Sequence, residues 1–137
     1  MRKTELFFPF EPKPKGRPRF TRGGHAYTPK TTHDYEKLIR DYYKDNSEDY
    51  YENAIQIKLV FNMPIPKATT KRVRTLIDTG VYKFTKKPDI DNIVKAILDA
   101  LNGVAFEDDS LITKISAEKK YSDSESGTLM IITEDVS

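Results

Sequence analysis

Apolar positions in this chain recur with two different spacings, and each change of spacing marks an element. Across residues 54–61 the period is two. Ile55, Ile57, Leu59 and Phe61 face one way while Gln56 and Lys58 face the other, as in a half-buried strand. Residues 5–10 read as a first strand, with Pro9 near an edge or at its end. Residues 111–121 and 128–133 read as two more, joined through the turn at 122–127 as a hairpin. Elsewhere the period is helical. Ile90, Ile93, Val94, Ile97, Leu98 and Leu101 fall on one face at 100° per residue. Asp89 is placed to cap that helix and Gly103 to end it. Tyr35, Leu38, Ile39, Tyr42 and Tyr43 give a helix over 33–46, capped by Thr31 or Thr32, with its tyrosines in the core and at its rim. A thin stripe of Val73, Leu76 and Ile77, with Thr69 or Thr70 as cap, makes 67–80 helical in flavour. Its Lys67, Lys71, Arg72 and Arg74 stay in solvent, so 67–84 reads as a short insertion or basic flap. The expected fold is a single α+β domain over residues 1–137, a small mixed β-sheet with helices packed against it.

Composition narrows the options. The 137 residues are 37% hydrophobic and 32% charged, enough apolar material for one core. There is no cysteine, so neither a disulfide nor a thiolate metal site is available. His25 and His33 have no second histidine at metal spacing and read as non-ligands. No apolar run is long enough for a membrane span, and the N-terminal stretch has no apolar signal core, so the expected setting is cytoplasmic.

The net charge of +2 hides an alternation. Residues 1–30 carry eight basic and two acidic side chains, net +6, and residues 31–53 carry three and seven, net −4. Residues 54–88 carry eight and one, net +7, and residues 89–137 carry four and eleven, net −7. Basic blocks around an acidic one suit a polyanionic partner and a bound cation, or simply separate solvated faces. The loop 12–24 concentrates the basic character. Its prolines and glycines prevent regular structure, and Lys13, Lys15, Arg17, Arg19 and Arg22 alternate with Phe20 and, just beyond, Tyr27. Such a loop can hold phosphates and stack on a base; as a flexible solubilising loop it would do neither.

The acidic chemistry centres on the helix at 90–101. Asp91, Lys95 and Asp99 line one border of its apolar face, and Glu107-Asp108-Asp109 follows downstream. The intervening chain is long enough to run back along the helix and set Asp109 beside Asp89 and Asp91, though nothing in the spacing compels it. Three carboxylates together would repel unless a divalent cation lay between them. All-oxygen ligation favours Mg²⁺ or Mn²⁺. Such an ion suits phosphodiester hydrolysis, with Lys95 one turn on from Asp91 to meet the phosphate. The plain alternative is that Asp-x-Asp caps a helix and Asp91–Lys95 is an ordinary i,i+4 pair.

The longer string is more specific. Residues 87–103, from Lys87-Pro88-Asp89-Ile90-Asp91-Asn92 to Asp99-Ala100-Leu101-Asn102-Gly103, are followed by Phe106-Glu107-Asp108-Asp109-Ser110-Leu111-Ile112. This resembles the RusA family of Holliday-junction resolvases, as do Lys15-Gly16-Arg17-Pro18-Arg19-Phe20, Tyr27-Thr28-Pro29 and Lys120-Tyr121. The resemblance implies that Asp89, Asp91 and Asp109 bind metal and are catalytic, and that Lys95 is the lysine four residues after the second aspartate. Lys15, Arg17, Arg19 and Arg22 are then candidates for DNA binding. Asp108 would support the ligand beside it, and Asp99 would be structural. It further implies a homodimer that makes paired nicks in four-way DNA junctions with Mg²⁺, Mn²⁺ being a possible substitute, and with no organic cofactor and no membrane partner. A two-fold protein would present two sites to the two-fold junction. The segment 67–84 departs from the shortest members. Two other readings stay open: a metal-dependent nuclease without junction selectivity, and a DNA-binding protein that is not an enzyme.

Overall fold

The structure is a computed structural model that describes residues 2–16, 19–27 and 30–136. Its sheet has four strands, β1 (Lys3–Phe8), β4 (Ile55–Pro64), β5 (Ile112–Ser122) and β6 (Gly127–Glu134), in the order β1-β6-β4-β5. A two-stranded ribbon, β2 (Arg19–Phe20) with β3 (Ala26–Tyr27), stands apart from it. Three helices complete the fold: α1 (Lys30–Asn46), α2 (Lys71–Asp78) and α3 (Ile90–Leu101). The sheet is mixed, because β4 runs parallel to β5 and antiparallel to β6. None of the described helices is long and apolar enough to cross a membrane.

The period-two reading of β4 holds. Ile55, Ile57, Leu59, Phe61 and Met63 are buried, and Lys58 on the opposite face is exposed. They meet Met130 and Ile132 of β6, Tyr35, Ile39 and Tyr43 of α1, and Ile93, Ala96, Ile97, Ala100 and Leu101 of α3 in one core. The helices thus cover one sheet face and leave the other open. The tyrosines of α1 are packing residues, as expected. Helix α2 has no buried residue; Thr70 caps it, accepting from the Val73 N–H, and Lys71, Arg72 and Arg74 stay exposed.

The expected hairpin of the last two strands is not formed. β4 lies between β5 and β6, and the link after Ser122 passes the end of β4, where Pro64 pairs with Ser122 and Asn62 with Gly127. The gap to be crossed is two strand spacings, about 10 Å, within reach of a short link. Central placement pairs the β4 backbone on both sides and sets its unbroken inner apolar row in the core. Gly127 is needed where β6 meets β1, since a Cβ there would sit 2.3 Å from the Phe8 carbonyl oxygen.

Candidate active site at the head of α3

Residues 90–101 form the helix that their periodicity predicts. Asp89 has the extended backbone of an N-cap (φ −69°, ψ 143°), yet its side chain makes no capping hydrogen bond. Its carboxylate accepts instead from the Lys87 ammonium at 2.9 Å. That hydrogen bond, and then the Lys87 charge, holds its carboxyl below the usual carboxylate range. Asp91 lies in the first turn of α3 and is exposed, beside the positive end of the helix dipole. An open cleft of about 340 Å³ runs along this end, lined by Pro14, Lys87, Pro88, Asp89 and Asn92. Lys95 stands one turn further on, largely exposed, with its Nζ 3.3 Å from Asp99 Oδ2.

Lys119 fixes the lead-in to this helix. Its ammonium donates to the carbonyls of Lys86 (2.9 Å) and Pro88 (3.0 Å) and lies 5.2 Å from the centre of the Phe84 ring. Sequence reasoning passed over it. The signal was present: Lys119 falls in step with Ile115, Ala117 and Tyr121, so a lysine occupies the helix-facing side of β5 and needs acceptors there.

Asp109 is not beside Asp89 and Asp91. After α3 the chain turns at once: the Gly103 N–H donates to the Phe106 carbonyl, and Glu107 pairs back to Tyr51. It does not run back along the helix. Asp109 opens a 3₁₀ turn (Asp109–Leu111) that leads into β5. β5 then runs antiparallel to α3, and only at Lys119, about 23 Å along the strand from Ile112, does it reach Pro88. Asp109 therefore lies at the tail of α3, and the helix itself is about 18 Å long. Among the described residues no three His, Cys, Asp or Glu side chains gather closely enough to hold one ion. The expected three-carboxylate cage is not assembled within one chain. The donor chemistry suits Mg²⁺, but a single chain's geometry offers only the Asp89 and Asp91 end. Asp108 has a local task, since its carboxylate caps the 3₁₀ turn by accepting from the Ser110 N–H at 3.0 Å. Hydrogen bonding from Ser110 keeps its carboxyl below the usual range.

The basic loop is also revised at one position. Lys15 was expected on DNA; its ammonium is instead held inside the fold by Glu36 of α1 and lies 3.3 Å from Asp99 Oδ2. Its backbone N–H donates to the Asn92 carbonyl at 3.1 Å, and the Gly16 N–H donates to Thr32 Oγ1 at 2.9 Å. The root of the loop is thereby fastened to both helices. Glu36, buried on the inner side of α1, was missed; a lone carboxylate between Tyr35 and Ile39 was the hint. Arg22 is exposed, and Phe20 on the ribbon is 70% exposed, as a phosphate-holding, base-stacking loop requires. Arg17 and the side chains of Arg19 and Tyr27 lie outside the described residues.

The Lys15 network has a measurable consequence. Burial pulls the pKa of its ammonium down, but the hydrogen bonds and charges of Glu36 and then Asp99 outweigh this, leaving it above the ordinary lysine value of 10.5. A pKa raised on folding stabilises the protein below the unfolded value, and that contribution fades as pH rises through the folded value. Lys15→Met should cost about 1–3 kcal/mol at neutral pH by leaving two carboxylates without their cation. The difference from wild type should shrink above pH 10.5, as urea unfolding at a series of pH values will show.

Comparison with known proteins agrees with this arrangement of motifs. A curated relative, "Uncharacterized protein YqaN" of Bacillus subtilis (strain 168), is 30% identical over 127 residues, covering 88% of this chain and 89% of its own. The family profile described as "Endodeoxyribonuclease RusA" matches residues 9–133, a span that takes in the basic loop, α3 and the Asp108-Asp109 turn. The chain belongs to the RusA family of endodeoxyribonucleases.

Proposed function

We propose that this chain acts as a homodimer on four-way DNA junctions, hydrolysing phosphodiesters in paired nicks with Mg²⁺. The observation that carries the proposal is the head of α3, where family membership coincides with two exposed carboxylates, Asp89 and Asp91, the first of them lining an open cleft together with Lys87. When bound, Mg²⁺ would supply charge neutralisation at the scissile phosphate and an acidified water, with Mn²⁺ able to replace it. The protein's own groups do the rest. Lys95 is exposed enough to exchange Asp99 for a phosphate oxygen, and Lys15 stays behind to neutralise Asp99. Arg22, with Arg17 and Arg19, takes the DNA backbone, and Phe20 stacks on an exposed base.

Asp109 gives the homodimer a physical reason. It stands at the tail of α3, out of reach of an ion held at the head by bonds of about 2.0–2.1 Å. In a two-fold pair the tail of one α3 can lie beside the head of the other. Each site then takes Asp89 and Asp91 from one chain and Asp109 from its partner, and two sites face the two equivalent strands of a junction.

The test is cleavage of a four-way junction, a flap and a linear duplex of the same sequence, with and without Mg²⁺. Paired nicks confined to the junction and abolished by chelation are expected. Equal cutting of all three substrates would leave a nuclease without junction selectivity. Binding without cutting at any metal concentration would leave a DNA-binding protein.

A further inference from the structure

We infer that the insertion 67–84 builds a second groove for DNA, in which Tyr82 stacks on an unpaired nucleobase of the strand held at the head of α3; this rests on the reading that DNA lies there and names what that strand must offer. The core does not account for the insertion. Helix α2 has no buried residue, and Val73, Leu76 and Ile77 are only half-buried. What the insertion does build is its return. Gly80 turns the chain at φ +77°, and the N–H groups of Val81 and Tyr82 both donate to the Leu76 carbonyl at 3.0 Å. The backbone of Tyr82 is thereby fixed on the end of α2. Its ring lies 5.9 Å from the Tyr121 ring of β5, and Tyr121 meets Phe84 edge-on at 4.8 Å. Phe84 and Tyr121 are half-buried and fasten the insertion, whereas Tyr82 is 41% exposed.

A groove of about 250 Å³ runs between these rings and the edge of β5. Among the described residues its walls carry Lys83, Lys119 and Lys120 beside one carboxylate, Glu118. Donors, an acceptor and aromatic faces together suit a flat, neutral base with polar edges, and Glu118 repels a phosphate from the groove itself. The phosphates on either side of that base have exposed cations to meet: Lys83, Lys120 and, on α2, Lys71, Arg72 and Arg74. The groove is continuous with the candidate active site. Lys119 lies 5.2 Å from the centre of the Phe84 ring and donates to the Pro88 carbonyl, and Pro88 and Asp89 line the cleft at the head of α3. A strand whose phosphate enters that cleft brings a neighbouring base within reach of the rings. The base must be unpaired, because in a duplex both faces of every base are covered by its neighbours. The groove therefore favours branched or opened DNA over linear duplex.

The full chain has no tryptophan, so Tyr82→Trp places a single indole in the groove. With metal absent, a saturating single-stranded oligothymidylate should quench its emission at least about twofold, and a duplex bound to the same degree should leave it unchanged. Anisotropy of the labelled oligonucleotide reads the affinity. Tyr82→Ala should weaken binding about tenfold, Tyr82→Phe should restore it, and Lys83→Gln should lower the slope of log K against log salt by about 0.7. Tyr82 lies at the surface, so circular dichroism should show an unchanged fold for each of its variants. Equal quenching by duplex, an unquenched indole with the oligonucleotide bound, or wild-type binding by Tyr82→Ala would each overturn the groove, as would failure of the wild type to bind the oligonucleotide. None of these readings needs cleavage. A chain that shows the quenching and the Tyr82→Ala loss but cuts no junction keeps the groove and loses the proposed junction activity. A chain that cuts junctions and shows neither effect keeps the activity and loses the groove.

Discussion

Asp91→Asn should bind four-way junctions as tightly as wild type, or more tightly, and cut them at least about two to three orders of magnitude more slowly. The substitution keeps the side chain's shape and removes one charge from the exposed first turn of α3. Loss of the favourable interaction with the helix dipole should cost no more than about 1 kcal/mol, so the fold should be unaffected. What disappears is a hard anionic oxygen at the exposed head of α3, two residues from Asp89, which lines the cleft with Lys87. Binding should hold because a phosphate entering the cleft meets less negative charge than before. Gel-shift and cleavage measurements on the same junction, at one Mg²⁺ concentration, separate the two effects. Wild-type cutting by Asp91→Asn would remove this aspartate from the site.

The second large effect is a rescue. Asp91→Asn and Asp109→Asn should each be inactive alone, and mixing them under conditions that allow subunit exchange should restore cutting. If a site takes Asp91 from one chain and Asp109 from its partner, a mixed dimer carries one doubly altered site and one intact site. With random exchange roughly a quarter of the sites are intact. Because each mixed dimer has a single working site, the product should be nicked junctions and not paired cuts. If both residues instead served one site within a chain, every site in the mixture would carry a lesion and no activity would return. The prediction follows from the placement of Asp109 at the tail of a helix about 18 Å long whose head carries Asp89 and Asp91.

Local signals announced most of the elements. The inner row of β4, the stripe of α3 and the tyrosines of α1 follow from period and burial. Thr70 caps α2 as its position before an amphipathic stretch indicates. The string from Lys87 to Ile112 pointed to a family, and the family match covers it. Misreadings arose where a residue's fate depends on distant chain. Lys15 looked like its neighbours in a basic loop, but Glu36 and Asp99 approach it only after α1 and α3 pack. Asp89 looked like a helix cap, but its carboxylate turned to Lys87. β5 and β6 looked like a hairpin, but β4 lies between them, hydrogen-bonded to both.

The sequence by itself determined which long segments are strands and helices and which face of each is apolar. Those properties depend on neighbours two to four positions away. Only the tertiary structure decided strand order, the internal ion pairs of Lys15, the Lys119 clamp, and the separation of Asp109 from Asp89 and Asp91. These turn on contacts between residues far apart in the chain, where the tight turn after Gly103 and the direction of β5 set distances that no local spacing encodes.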